Sequence, residues 1–185
     1  MKVSREQAAQ NRARVVEVAG KLFRQKGFGG IGVVDIMKGA GLSHGGFYGQ
    51  FACKDELAAE ACAQTLGRSI ARWRDLAAGG DPLAAIVGAY LARRHRDSTG
   101  GGCAMAALAS EAARQPKAVR DVFTDALRSF VGILSKLVPG TSPTARRRKA
   151  LATMAGLVGA VILARAVDDK ALSDEILRAA AKEFG

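Results

Sequence analysis

Apolar residues recur every three to four positions along most of the chain, and this spacing predicts helices rather than strands. The first predicted helix begins at Ser4, which can cap it within the sequence SREQ, and ends at Gly27 after a basic last turn. Breaks rich in glycine, proline or polar residues separate the later helices at 79–82, 97–102 and 139–143. With no strand-like alternation and no internal repeat, the pattern predicts an all-α fold of about nine helices.

Two short predicted helices follow one another near the N-terminus. The first covers residues 33–40, and a glycine ends it. The second covers about 43–51, and its spacing turns Phe47 and Phe51 inward. A turn of three or four residues that contains glycine joins the two helices, which is typical of a helix-turn-helix motif over about 32–51.

Glycine is unusually frequent in the second of these helices, within the sequence GLSHGGFYGQF at 41–51. Each of Gly45, Gly46 and Gly49 lowers the stability of a helix by about 1 kcal/mol relative to alanine. Bare backbone at the first two positions can, in return, approach a partner closely. We therefore predict a marginal helix that is capped by Ser43, held by aromatic packing, and built for close contact.

The composition indicates a polyanionic partner. The 185 residues carry a net charge of +11, with a pI near 10.1, which favours nucleic acid or an anionic surface. Both charge signs are present and 49% of residues are hydrophobic, so the chain has the material for a folded core. Basic residues are spread over the whole chain, so charge alone does not locate the binding face.

Other functional classes leave little trace in the sequence. His44 and His95 are the only histidines, and no nucleophile–base spacing, phosphate loop or metal motif occurs, so we expect no enzyme activity, no cofactor and no metal. Three cysteines without close spacing, and no signal-peptide pattern, favour a reducing cytoplasm. The most apolar stretch, 151–167, is shorter than the roughly 20 residues of a membrane span and contains Arg165. We therefore predict a buried helix there and no membrane partner.

Residues 27–57 resemble the DNA-binding region of the TetR family of bacterial repressors. The matching positions are Gly27, Phe28, Asp35, Ile36, Ala40, Gly41, Leu42, Ser43, Gly45, Phe47, Tyr48, Phe51, Lys54, Asp55, Glu56 and Leu57. The resemblance implies a DNA-binding head at 8–68 and a helical effector-binding and dimerisation body at 69–185. It also implies a homodimer, formed by the last two long helices, that binds a palindromic double-stranded DNA operator.

The residues expected to contact DNA combine capping, close approach and hydrogen bonding. They are Ser43, His44, Gly45, Gly46, Tyr48, Gln50 and Lys54. Free N–H groups at a capped helix N-terminus favour phosphate, and Tyr48 and Gln50 suit phosphate oxygens or a thymine methyl group. Lys54 adds a phosphate contact, as in the family. Ile31 and Gly32 depart from the family pattern, because a threonine or serine is usual there and its phosphate-binding hydroxyl is absent.

The central helices supply a candidate effector pocket, for which we predict an apolar or weakly polar ligand. Its candidate residues are Trp73, Tyr90, Cys103, Met105, Phe123 and Phe130, and the alternative for each is an ordinary place in the core. Cys103 opens a predicted helix, where the N-terminus lowers the pKa of a thiol. The resemblance includes regulators that sense electrophiles, so Cys103 is either a sensor or a small packed residue.

Small residues spaced four apart mark the last long predicted helix, at about 144–167. Such residues let helices approach closely, and this helix is apolar on nearly all sides. The predicted subunit interface consists of Ala155, Gly156, Gly159, Ala160 and Leu163.

Together these features predict a ligand-responsive transcriptional regulator. Repression is the commoner mode in the family, with release of the operator by a small-molecule or electrophile inducer. The alternative is a helical interaction protein of the same fold that has lost operator binding, which the missing hydroxyl and the added glycines allow.

Overall fold

The computed structural model describes residues 4–185, which form nine α-helices and one short 3-10 helix. The α-helices are α1 (Arg5–Lys26), α2 (Val33–Gly39), α3 (Lys54–Leu76), α4 (Pro82–Tyr90), α5 (Arg93–Asp97), α6 (Ala104–Ala112), α7 (Lys117–Leu137), α8 (Pro143–Ala166) and α9 (Lys170–Phe184). The 3-10 helix covers His44–Gly46. The predicted all-α architecture, with a small N-terminal head and a larger helical body, is confirmed.

The head is built on α1, whose ends match the signals in the sequence. The Ser4 side chain accepts a hydrogen bond from the Gln7 N–H at 3.1 Å and so caps the helix. At the other end Gly27 has a φ of 76°, and its N–H donates to the Phe23 carbonyl at 2.8 Å. The buried face of α1 packs against α2 and α3 around a core that includes Phe23 and Ile36.

The segment predicted as the second helix of the motif has a different local structure. A turn with Gly41 at a φ of 68° follows α2, and the 3-10 helix and a further turn to Gln50 replace one continuous helix. Ser43 precedes the 3-10 helix, but its side chain makes no capping hydrogen bond, so the predicted Ser43 cap is wrong. The glycine content gives the physical reason, because glycine loses the most backbone entropy when it is ordered in a helix.

One long helix, α3, belongs to both halves of the chain. It packs along α1 in the head and along α7 in the body. Near its C-terminal end the Trp73 ring meets the Phe130 ring of α7 edge-on, with the centroids 4.7 Å apart. The domain boundary that we predict between residues 68 and 69 falls inside this continuous helix, and its position stays a prediction.

The body consists of helices packed in layers. α7 lies between α3 and α8, and α8 packs in turn against α6 and α9. The side chains of Ser142 and Asp169 cap α8 and α9 by accepting backbone N–H bonds. Gly156 lets the end of α9 approach α8, since a Cβ at this position would overlap the Phe184 ring. The close contact between these two helices therefore depends on a residue without a side chain.

α8 is long and apolar enough to cross a membrane, by length and composition, and it is the one such helix within residues 4–185. Of its most apolar window, 39% is buried inside the chain. This property is weak evidence for a span, because core helices of soluble proteins share it. Much of the apolar surface of α8 is therefore not covered by the rest of the chain.

Two polar side chains fix the loop that follows α1. The Glu111 carboxylate, on α6, accepts a hydrogen bond from the Phe28 N–H at 2.9 Å. The same carboxylate lies against Gly27, where a Cβ would be 2.5 Å from the Glu111 Oε1. From the other side, the Lys54 Nζ donates to the Phe28 carbonyl at 2.5 Å. The loop therefore joins the head to α6 of the body through backbone groups.

We predict that Gly27→Ala destabilises the protein more than Gly41→Ala, although both positions have positive φ. Positive φ costs alanine about 1–2 kcal/mol at Gly41, where a Cβ meets no atom within 4 Å. Gly27, with a ψ of 171°, has a conformation that is nearly confined to glycine and costs other residues about 1–3 kcal/mol. At Gly27 the methyl group must also displace Glu111, which adds about 1–3 kcal/mol. Urea unfolding of the two variants measures the difference. Equal destabilisation would contradict the contact between Glu111 and Gly27.

Candidate DNA interface and effector cavity

An exposed tip on the head carries most of the residues expected at DNA. Ser43, His44, Gly45 and Gly46 are exposed, and Tyr48 is 68% exposed. The Tyr48 ring meets the His44 ring edge-on, with the centroids 6.0 Å apart. This tip therefore presents two hydrogen-bonding side chains and uncovered backbone, which are groups that contact phosphates and base edges.

Two buried phenylalanines anchor the tip from beneath. Phe47 and Phe51 are 1% and 2% exposed, and their rings stack with the centroids 5.5 Å apart. The Arg12 guanidinium lies 4.4 Å from the centroid of the Phe51 ring and pairs with Glu60 on α3. The predicted inward packing of both phenylalanines is confirmed. The Tyr48 side chain, next to Phe47 in the chain, turns outward.

Gln50 and Lys54 are held by the chain itself. The Gln50 Nε2 donates to the Gly46 carbonyl at 3.1 Å, and the Gln50 Oε1 is buried with no hydrogen-bond partner among residues 4–185. The Lys54 Nζ is engaged by the Phe28 carbonyl. Each side chain makes one bond within the chain, but the Gln50 amide has a second N–H and the Lys54 ammonium has two more, so both keep donors for DNA.

The three glycines of the tip are not required by the fold. None of them has a positive φ. A Cβ at Gly45 meets no atom within 4 Å, a Cβ at Gly46 meets the Met37 Cε at 3.7 Å, and one at Gly49 meets the Gly46 carbonyl at 3.9 Å. These are ordinary contact distances, so alanine fits at each position. A reason for glycine here must come from a partner of the tip rather than from its own packing.

A cavity of about 360 Å³ opens beside the C-terminal half of α3. Its lining consists of Ser69, Arg72, Trp73, Leu76, Ala89, Tyr90, Arg94, His95, Ser98, Gly101, Gly102 and Cys103. Three of the predicted pocket residues, Trp73, Tyr90 and Cys103, belong to this lining. Its volume lies in the range of small-molecule sites.

The other three predicted pocket residues do not line the cavity. Met105, Phe123 and Phe130 are 6%, 7% and 0% exposed and belong to the hydrophobic core. Phe130 lies behind the cavity wall, where it supports Trp73. All three residues therefore have an ordinary place in the core, which was the alternative to a place in the pocket. The apolar face of α7 and the start of α6 pack against neighbouring helices.

His95 fixes the geometry of the loop that closes the cavity. Its Nδ1 donates to the Tyr90 carbonyl at 2.5 Å, and its Nε2 accepts from the Cys103 N–H at 2.9 Å. These two bonds require the neutral tautomer with the proton on Nδ1. Burial lowers the pKa of His95, and nearby Arg165 acts in the same direction, against the opposing effect of the Tyr90 carbonyl. Both ring nitrogens are therefore occupied within the chain.

The buried thiols are not poised for reaction. Cys103 is 5% exposed, and burial raises its pKa even though backbone hydrogen bonds with Met105 and Ala106 act to lower it. The prediction that a helix N-terminus lowers the pKa of this thiol is therefore wrong, because desolvation outweighs it. Burial also raises the pKa of Cys62 to about 12. The structure favours Cys103 as a packed residue.

The cavity loop is bonded directly to the head through Arg24 of α1. The Arg24 Nε donates to the Gly100 carbonyl at 2.9 Å, and its Nη1 donates to the Thr65 Oγ1 of α3 at 2.7 Å. One side chain therefore contacts the loop beside the cavity and both long helices of the head. The loop 98–102 and α1 are therefore joined directly, with no residue between them.

Sequence reasoning missed several residues around the cavity, namely Arg24, Arg72, Arg94 and His95. The histidine lies in the run RRHRD, which has the composition of a solvated helix end, although the structure half-buries it in the cavity wall. A usable signal was present on α3, where positions 69, 72, 73 and 76 recur at helical spacing on one face.

An apolar face of α8 remains uncovered. Leu151, Ala155, Ile162 and Leu163 are exposed, with Leu163 at 58%, and a Cβ at Gly159 meets no atom within 4 Å. We call these five residues the exposed stripe. Single exposed leucines are ordinary on proteins, but an apolar row along one helix marks a contact surface.

Two residues of the predicted interface lie on a different face of α8. Gly156 is covered by the Phe184 ring of the same chain, and Ala160 is 7% exposed. At 100° per residue, these positions turn toward α9 and the core rather than toward the exposed stripe. Their small size serves packing within the chain, which corrects their assignment to a partner surface.

Two family models match this chain. Residues 15–61 match the model of bacterial regulatory proteins of the tetR family, and residues 79–180 match a tetracyclin repressor-like C-terminal domain. The chain belongs to the TetR family. TetR regulators are non-enzymatic, DNA-binding transcription factors, so this protein is a helix-turn-helix transcriptional regulator.

Individual known proteins resemble the chain in sequence or in fold. The HTH-type transcriptional repressor KstR2 of Mycobacterium tuberculosis is 32% identical over 87 residues, which are 46% of this chain and 44% of that repressor. E. coli NemR in its reduced form has a TM-score of 0.79 at 20% identity, over 95% of each chain. A TetR transcriptional regulator from Chloroflexus aurantiacus J-10-FL has a TM-score of 0.80 at 24% identity, over 96% of this chain and 95% of the other. The two structural likenesses show the shared fold.

Proposed function

We propose that this TetR-family protein is a cytoplasmic repressor that binds a palindromic operator as a homodimer and releases it when a small molecule enters the cavity. The exposed tip at 43–48, anchored by buried Phe47 and Phe51, is the observation that carries the proposal. The net charge of +11 supports attraction to DNA. The name of the KstR2 repressor supports repression as the mode of regulation.

In this proposal few side chains read the bases. Ser43, His44 and Tyr48 reach DNA first, while the backbone of Gly45 and Gly46 lies close to the duplex. Gln50 and Lys54 keep their bonds within the chain and donate their remaining N–H groups to phosphate. Much of the sequence preference then comes from the shape of the operator and from the spacing of its two half-sites.

Two sets of hydrogen bonds connect the body to the head and transmit the ligand response. The Arg24 side chain bonds the Gly100 carbonyl of the cavity loop, and Glu111 bonds the Phe28 N–H beyond α1. A ligand that moves the loop changes the position of α1 relative to the body. In a dimer, such a change alters the distance between the two tips and so the fit to two half-sites.

The competing function is a helical interaction protein of the same fold that has lost operator binding. The absent hydroxyl at Gly32, where α2 begins without a side-chain cap, keeps this alternative open. It predicts a folded protein whose tip makes no sequence-specific complex with DNA.

A mobility-shift assay with DNA from upstream of the protein's own gene tests the proposed function. We predict a specific complex under reducing conditions without ligand, lost when either half-site is scrambled. His44→Ala with Tyr48→Ala should weaken the complex at least about tenfold, because both side chains are exposed and the phenylalanine anchors remain. Absence of a specific complex along the upstream DNA would favour the alternative.

We predict that Gly46→Ala stabilises the free protein and weakens operator binding. Alanine fits at this position without positive φ, so it should add about 0.4–1 kcal/mol of stability by restricting the unfolded chain. The added methyl group should lower DNA affinity about tenfold if the backbone lies against the duplex. Thermal unfolding and the same mobility shift measure the two effects. Unchanged affinity would mean that the glycine is tolerated rather than used.

We predict that Leu163→Glu converts a dimer into a folded monomer. The substitution places a charge at the C-terminal end of the exposed stripe, on its most exposed side chain, where burial against a partner would desolvate it. Leu172→Glu, on α9 and outside the two long helices expected to form the dimer, is the matched control, because Leu172 is 43% exposed. Light scattering at micromolar protein gives the mass of each variant. A monomeric wild type, or a dimeric Leu163→Glu variant, would contradict this interface.

A further inference from the structure

We infer that the cavity takes an organic anion, with its acidic group at Arg72 and Arg94 and its apolar body against Trp73. The inference rests on the proposed effector role of the cavity and names the chemical class of the ligand. It replaces the apolar or weakly polar ligand expected from the sequence.

The charge of the lining supports an anion. Arg72, Arg94 and His95 line the cavity, and no aspartate or glutamate does. His95 is neutral and already uses both ring nitrogens, so the two arginines are the charged donors available to a ligand. A carboxylate or a phosphate ester suits the planar array of N–H groups on a guanidinium.

Arg94 differs from the arginines beside it. Arg93 and Arg96 both pair with Asp174 of α9, whereas Arg94 makes no ion pair or side-chain hydrogen bond in the described part of the chain. Arg72 is likewise without a side-chain partner between residues 4 and 185 and lies on an exposed face of α3. The cavity therefore has two uncommitted cations in a region where neighbouring cations are neutralised.

A buried polar atom independently indicates a ligand. Tyr90 is 4% exposed and lines the cavity, and its hydroxyl has only the Cys103 thiol, a weak acceptor, beside it and no nitrogen or oxygen partner within residues 4–185. A buried hydroxyl without a strong acceptor destabilises a protein, so an acceptor supplied by a ligand would remove this cost. Burial raises the pKa of Tyr90, which keeps the hydroxyl protonated and able to donate.

The remaining wall suits an apolar body. The Trp73 and Tyr90 rings meet edge-on, with the centroids 5.7 Å apart, and Leu76 and Ala89 complete this side. A cavity of about 360 Å³ is near the lower end of the range for small-molecule sites. A medium-chain acid or an arylalkanoic acid therefore combines the required charge with a body that these side chains can cover.

The single tryptophan of the chain makes a direct test possible. Because Trp73 lines the cavity, its fluorescence reports occupancy without DNA. The probes are octanoate and 3-phenylpropanoate, each compared with its neutral amide. We expect both acids to bind at least about tenfold more tightly than the amides, with a gap that narrows as salt is added. Equal affinity of acid and amide, or no response to either at millimolar concentration, would overturn the inference.

Variants locate the acidic group. Arg72→Gln combined with Arg94→Gln should remove the preference for the acids and leave amide binding unchanged, which shows that the cavity remains intact. Arg74→Gln is the matched control, since Arg74 is exposed on α3 but lies outside the lining. Tyr90→Phe should weaken acid binding by several fold. Full acid preference in the double variant, or unchanged acid affinity in Tyr90→Phe, would contradict the assigned contacts.

The operator assay separates this inference from the proposed function. Acids that bind the cavity but leave the DNA complex intact would contradict the proposed ligand response, and the inferred ligand class would still hold. Release of the operator by acid and amide alike, at equal concentrations, would support the ligand response and contradict the anion.

Discussion

The packing of α3 against two different helices is the constraint on which the rest of the structure depends. The N-terminal half of α3 packs against α1, and its C-terminal half packs against α7, where Trp73 meets Phe130. A rigid helix of 23 residues thus shares its buried side between a head and a body. The tip at 43–48 and the cavity lie at opposite ends of this one element. The apolar packing of α3 therefore holds both the tip and the cavity in place.

A few polar contacts join loops to the helices of this apolar framework. The Arg24 side chain bonds a backbone carbonyl of the loop between α5 and α6, and the Glu111 side chain bonds a backbone N–H of the loop after α1. Most substitutions leave a backbone carbonyl or N–H in place. These hydrogen bonds therefore depend on the backbone conformation of the two loops. Gly27 belongs to the same arrangement, because a side chain there would occupy the space of the Glu111 carboxylate.

The sequence predicted most of the helices, since their positions follow from the 3.6-residue spacing of apolar residues and from caps such as Ser4 and Gly27. The inward packing of Phe47 and Phe51 followed from the same spacing. The 3-10 geometry of the tip did not, because glycine-rich segments have weak local preferences that tertiary packing decides. On α8, small residues at 155–160 face two directions, and only the path of α9 shows which of them Phe184 covers.

The effector cavity was the least predictable feature. Large aromatic residues on amphipathic helices fill cores and line pockets with the same spacing, so Phe123 and Phe130 carried no distinguishing signal. Charged residues at the mouth, such as Arg72 and Arg94, have the pattern of an ordinary solvated surface. Their relevance comes from a cavity wall assembled by α3, α4, α5 and a loop from separate parts of the chain.

The bond between Arg24 and the cavity loop has a thermodynamic consequence for the proposed regulator. If one contact couples the two sites, the coupling free energy is the same in both directions. A ligand that lowers operator affinity by a given factor must itself bind the DNA-bound protein more weakly by that factor. The effector concentration needed for release would then depend on how strongly each operator holds the protein. One cavity could therefore give different promoters different thresholds, with no change in the protein.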